Sequence, residues 1–148
     1  MSSRVRSCFS VMHYFSYVGR MAFAHMLETP TSPGGLLDRV SGLERGDVLV
    51  TVSYAYYATE IMQACEIAHD IGIDIMLLTD DVRAPMAKWA REVAILPIAG
   101  PQLLPTLTPA FLATELLLAE MVARRPQAQK RIARNEARIR RFAGYWSE

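Results

Sequence analysis

The chain has 148 residues, 51% of them hydrophobic and 21% charged, with a formal net charge of +1. That apolar content, with 8 Gly and 8 Pro in no repeating pattern, excludes disordered and collagen-like classes and leaves one compact domain over residues 1-148. The near-zero charge hides a division: residues 1 to 122 carry 8 basic and 13 acidic side chains, whereas residues 123 to 148 carry 8 and 2.

In chain order, Ser7 to Leu27 reads as one long helix, closed by the turn-forming run Glu28-Thr-Pro-Thr-Ser-Pro-Gly-Gly35. Ahead of it lie basic residues, yet Arg20 interrupts the apolar stretch and no small-residue cleavage site follows, so no signal peptide is expected. Asp47 to Ser53 is a β-branched run suited to a strand buried in a parallel sheet. Between Tyr57 and Ile71 the residues Ile61, Ala64, Cys65, Ala68 and Ile71 recur at helical spacing, and Gly72 provides the left-handed stop. Ile73 to Thr79 is a second strand, Pro85 to Ala90 a short helix, and Val93 to Pro97 a third strand. Thr108-Pro109 supplies an N-cap and a proline opening a helix to about Arg125. Beyond Pro126, residues 127–142 form a basic last helix with Ala128, Ile132, Ile139 and Phe142 along one stripe. Strands alternating with helices predict an α/β fold, a three-layer α/β/α sandwich on a parallel, flavodoxin-like sheet. Such a sheet starts with a strand leading into its first helix, and here only Ser2 to Arg6 precedes Ser7, so the first strand reads as truncated.

The apolar segment Leu103 to Ala123 contains Pro105, Pro109, Glu115 and Glu120, which predicts no membrane span. Cys8 and Cys65 form no CxxC pair and have no histidine cluster nearby; reduced thiols in a cytoplasmic protein are expected, with no metal and no cofactor. His13, His25 and His69 all fall in predicted helices and read as ordinary helix residues.

Ligands of open parallel sheets bind beyond the carboxyl ends of the strands, where helix N-termini present unpaired N–H groups. Three segments reach that edge: Arg6-Ser7-Cys8, Ser53 to Thr59, and Thr79 to Pro85. Ser7, Ser53, Thr59 and Thr79 are the available hydroxyls and Arg6 is the nearest cation, although such hydroxyls are more often plain helix caps.

The ordered motifs R-S-C-F-S-V-M-H-Y-F-S-Y, G-D-V-L-V-T-V-S-Y-A-Y-Y-A-T-E, L-L-T-D-D-V-R-A-P-M-A and L-T-P-A-F-L-A-T-E-L-L resemble the SIS (sugar isomerase) domain of RpiR-type transcriptional regulators. The resemblance runs from about Arg4 to Phe142. It implies a domain that senses a phosphorylated sugar and self-associates as a dimer or tetramer. DNA would be bound only through a helix-turn-helix domain that these residues do not include. The implied ligand set is Arg6, Ser7, Ser53, Tyr57, Thr59, Glu60 and Thr79.

Several positions depart from the family pattern. Cys8 replaces a serine, Ala55 stands where an Arg or Ser is usual, Ala58 and Ala84 replace hydroxyls, and Asp81 adds a carboxylate expected to repel an anion. Each lost hydrogen bond to a phosphate removes about 1–3 kcal/mol, so the ligand site reads as partly degenerate. Glu60 is the only plausible acid–base residue for a sugar-phosphate isomerase, the alternative function, although capping of its helix is the simpler role. A structural fragment that binds no ligand is the third reading. For the basic tail, a solvated face turned toward the acidic remainder or a partner subunit is expected before nucleic acid.

Overall fold

A computed structural model describes residues 7–32 and 34–142. Helix α1 (Ser7–Ala22) is followed by α2 (Gly35–Ser41), β1 (Val48–Ser53), α3 (Thr59–Asp70) and β2 (Asp74–Thr79). A 3-10 turn (Pro85–Trp89), β3 (Glu92–Ile95), α4 (Thr108–Ala123) and α5 (Pro126–Arg141) complete it. The strands form one parallel sheet in the order β1-β2-β3, with Val48 opposite Asp74 and Ser53 opposite Thr79.

Strand alternation sends successive side chains to opposite faces, and each face has its own core. Leu49, Ile75, Leu77 and Val93 face α2, α3 and the 3-10 turn, where Val40, Ala64, Cys65, Ala68 and Met86 are buried. Val50, Val52, Met76, Leu78 and Ala94 face α1 and α4, meeting Val11 and Ala110. Behind that second layer, Ala22, Phe23 and Ala128 join the ends of α1, α4 and α5. This is the three-layer α/β/α arrangement anticipated from the alternation of elements. Among the described residues no helix is long and apolar enough to cross a membrane.

Four local expectations need correction. The first helix stops at Ala22, not Leu27, because the chain folds back on it: Met26 sits so close to Gly19 that a Cβ there would meet its sulfur at 2.1 Å. Thr29 then ties the returning segment down, its hydroxyl donating to the Met12 carbonyl at 3.0 Å and its N–H to Ser16 Oγ at 3.3 Å. His25 consequently lies outside any helix. Second, α2 lies in a stretch for which no element is expected; it starts after Gly34, held at φ 74, and buries Val40. Third, Thr108 is the first helical residue and not the cap of α4; the Thr106 hydroxyl accepts the Thr108 N–H at 3.3 Å. Fourth, only the first half of the α5 stripe is covered, since Ala128 is buried while Phe142 is 80% exposed.

The stop after α3 follows the expected chemistry. Gly72 takes φ 79, its N–H reaches the His69 carbonyl at 3.0 Å, and the Ile73 N–H reaches Ala68 at 2.8 Å. Those two bonds satisfy carbonyls that the helix end would otherwise leave unpaired. The tail is not turned onto the acidic body by ion pairing: among the described residues its one salt bridge is Arg124 with Glu120, within a single turn.

Candidate functional site

The carboxyl ends of β1 and β2 converge on one carboxylate, that of Asp80. Ser53 and Thr79 end the two strands side by side, and both are buried. Asp80 follows Thr79 immediately and folds its carboxylate across to the loop after β1. The Ala55 N–H donates to both of its oxygens, at 3.0 and 3.1 Å. The Tyr57 hydroxyl and the Thr79 hydroxyl each donate to Oδ1 at 3.3 Å. Burial raises the Tyr57 hydroxyl pKa, and the Asp80 charge beside it adds to the shift.

Of the expected ligand residues, Ser53, Tyr57 and Thr79 are therefore brought together around Asp80. Thr59 and Glu60 occupy the first two positions of α3 and are exposed at the same end of the sheet. Ser7 opens α1, and Arg6 lies outside the described residues. Cys8, one residue on, packs with Val52 and Tyr54, which brings the start of α1 to the same edge.

Helix capping, the simpler role expected for these residues, is not what they do at α3. Ala58 is the N-cap, in extended conformation, and no side chain caps the helix. An α-helix leaves its first N–H groups without intrahelical partners, and its positive dipole end favours an anion there. The loop that delivers the chain to this point is strained: Tyr56 has φ 63 and its side chain is 77% exposed. A bulky residue in that region costs about 1–2 kcal/mol, which the fold sustains to turn the loop under the helix.

The expected role of Asp81 is also corrected. Its carboxylate accepts the Arg83 N–H at 2.8 Å and pairs with the guanidinium at 2.6 Å. Those bonds lower its pKa to about 2 and pair its charge with a cation. The carboxylate that faces the loop is that of Asp80. It occupies the Ala55 N–H, so an anion at this edge is left with the first turn of α3, while Asp80 can accept hydrogen bonds from neutral hydroxyls.

Two participants escaped the sequence reading. Asp80 could have been noticed as a carboxylate placed directly after a buried strand end, a position at which it can reach a neighbouring loop. Tyr54 is the other: its ring is buried with Val52 and Leu78, and its hydroxyl is buried without a hydrogen-bond partner among the described residues. Burial, then Cys8 and Asp80 nearby, push the Tyr54 hydroxyl pKa up. An unpaired buried hydroxyl costs about 1–3 kcal/mol and is a ready donor for a bound group.

No protein-family model and no curated protein matches the sequence. Solved structures do. The sugar isomerase domain of an RpiR transcription factor from Sphaerobacter thermophilus aligns with a TM-score of 0.76 and 24% identity, over 87% of this chain and 72% of that one. The Vibrio vulnificus NanR protein, complexed with ManNAc-6P, aligns with a TM-score of 0.73 and 17% identity, over 90% of this chain. This chain spans about half of the NanR chain, 52% of it. A Methanococcus jannaschii protein, whose structure infers a 3-hexulose-6-phosphate isomerase function, aligns with a TM-score of 0.60 and 17% identity, over 84% of this chain and 71% of that one. The chain has the sugar isomerase (SIS) domain fold, the fold of the RpiR-type structure it aligns with.

Proposed function

We propose that the chain is a phosphosugar-sensing, self-associating domain of an RpiR-type regulator. The observation that carries this reading is the uncapped start of α3 beside the hydrogen-bonded Asp80, in a fold shared with NanR, whose structure holds ManNAc-6P. The phosphate would lie at the first turn of α3, near Thr59, and the family resemblance adds Arg6 and Ser7 to its ligands. Sugar hydroxyls would donate to Asp80 beside Ser53, Tyr57 and Thr79. Contact with DNA would fall to a helix-turn-helix domain outside these residues.

A thermal-shift panel of hexose 6-phosphates, with ManNAc-6P included, tests this. A ligand at a hundred times its dissociation constant adds about 2.7 kcal/mol of stability. Tyr57→Phe should shrink the shift, because it removes a hydroxyl from the Asp80 cluster. No shift with any member of the panel would leave the domain as a structural fragment that binds no sugar.

Self-association is supported by α4, which buries Ala110, Thr114 and Leu118 yet leaves Leu112 and Leu116 more than half exposed. Light scattering should report a dimer or tetramer, and Leu116→Glu should reduce it to a monomer. A monomeric unaltered chain at micromolar concentration would count against this part.

The second reading, a sugar-phosphate isomerase, is favoured by Glu60, an exposed carboxylate in the first turn of α3 that caps nothing. It requires turnover of a ketose phosphate that disappears in Glu60→Gln.

A further inference from the structure

The basic last helix carries charge that the sugar site does not use. Laid out at 3.6 residues per turn, Lys130, Arg131, Arg134, Arg138 and Arg141 of α5 fall within about 100° of arc. Lys130, Arg134, Arg138 and Arg141 are exposed, and Arg131 is partly buried. The one acid of the helix, Glu136, lies outside that arc, as do Ala128, Ile132, Ile139 and Phe142. The cations thus form a one-sided ridge about 16 Å long, on the flank of the stripe whose first half packs against α1 and α4.

Among the described residues none of these cations makes an ion pair. Like charges three or four positions apart weaken a helix, and the ridge repeats them: Lys130 with Arg134, Arg134 with Arg138, Arg138 with Arg141. The acids of its own layer are engaged, Glu115 accepting the Tyr14 hydroxyl at 2.9 Å and Glu120 holding Arg124. Asp38, Glu60, Glu66 and Asp70 lie on α2 and α3, which cover the opposite face of the sheet. The ridge could meet those acids on a second copy only head to tail, a contact that builds rings or filaments and not a twofold dimer.

The make-up of the ridge selects among other partners. Protein interfaces have an apolar core, and besides its cations the arc holds Gln127 and no apolar side chain. A membrane surface would take up the apolar stripe, whose first half is buried in the fold. Single-stranded nucleic acid is held by stacking on aromatic rings, and the arc has none. A duplex backbone needs only cations, since it carries one negative charge per about 1.7 Å. The major groove of B-DNA is about 12 Å wide and admits a helix, whereas that of A-form RNA is deep and narrow. We propose that the α5 ridge binds the phosphate backbone of duplex DNA without regard to sequence. This goes beyond the sensing role: base reading stays with the helix-turn-helix domain that the resemblance implies, and the ridge adds contact with phosphates alone.

Fluorescence anisotropy on the full chain, with a DNA duplex of random sequence as probe, tests this. The dissociation constant should be about 10⁻⁴–10⁻⁶ M at physiological salt. With all of the ridge cations on phosphates, raising salt from about 50 to 200 mM should weaken binding about 500-fold. Arg134→Gln combined with Arg138→Gln should cut that factor to about 40-fold with the melting temperature unchanged. Arg39→Gln combined with Arg45→Gln removes the same charge elsewhere and should leave the factor as it is. No binding at about 50 mM salt, or the same salt dependence in both double variants, would overturn the proposal. So would binding as tight to a duplex RNA of the same sequence, to a polyglutamate peptide or to vesicles containing phosphatidylserine.

Discussion

β1 and β2 are neighbours of equal length in one sheet, six residues each and in full register, yet they live in different surroundings. β2 has a strand on either side and fully buries Leu77 and Leu78 between the two helical layers. Among the described residues β1 has a strand on one side, and Val48 at its start is 57% exposed. Identical hydrogen-bond geometry therefore gives unequal burial. What a strand contributes to stability is set by what covers it, and intrinsic preference for the extended state comes second.

The largest expected effect separates the two strands directly. Leu77→Ala should cost about 2–5 kcal/mol in chemical denaturation, because it opens a cavity in a closed core. Val50→Ala, on the half-covered strand, should cost about 1 kcal/mol. Equal losses would mean that β1 is as enclosed as β2.

The next effect concerns the junction between the strands. Asp80→Ala removes the acceptor that holds the Ala55 N–H and two hydroxyls, and should destabilise by about 1–3 kcal/mol. Faster exchange of the Ala55 amide would show that the loss is local to the β1 end. If that amide exchanges no faster, the carboxylate does not order the loop.

The smallest effect belongs to the closed side and is read against pH. Cys65 is buried next to the β2 face, and burial pushes its thiol from 9.0 up to about 11. The folded state keeps the thiol neutral, so the stability this contributes is complete below pH 9 and is lost as pH rises through about 11. Cys65→Ala should remove that part of the alkaline decline, seen as a flatter melting temperature against pH above 9.

Much of this division was readable in the amino-acid order. The β-branched run ending in Ser53, the helical spacing from Ile61 to Ala68 and the stop at Gly72 are local signals, and each fell within a few residues of its element. The shortened first helix was not readable, because Met26 folding onto Gly19 is a tertiary contact. α2 was not, since seven residues following Gly34 carry too little periodicity. At the candidate site, Ser53, Tyr57 and Thr79 were expected at one edge because strand ends in a parallel sheet share it, and they lie there. Asp80 was passed over in favour of Asp81 because sequence gives their adjacency and not their directions. One turns to the loop and the other to Arg83. The covered half of the α5 stripe was separated from the exposed half only by where α1 and α4 end.

The hydrogen bond from Tyr14 to Glu115 joins residues 101 positions apart, and it belongs to the layer that covers one face of the sheet. The β1-α3-β2 unit closes within about a quarter of that distance, which makes the longer closure costlier by about 1.2 kcal/mol of chain entropy. The sheet with α3 is thus the part whose closure costs the least chain entropy, and the pairing of α1 with α4 the part whose closure costs the most.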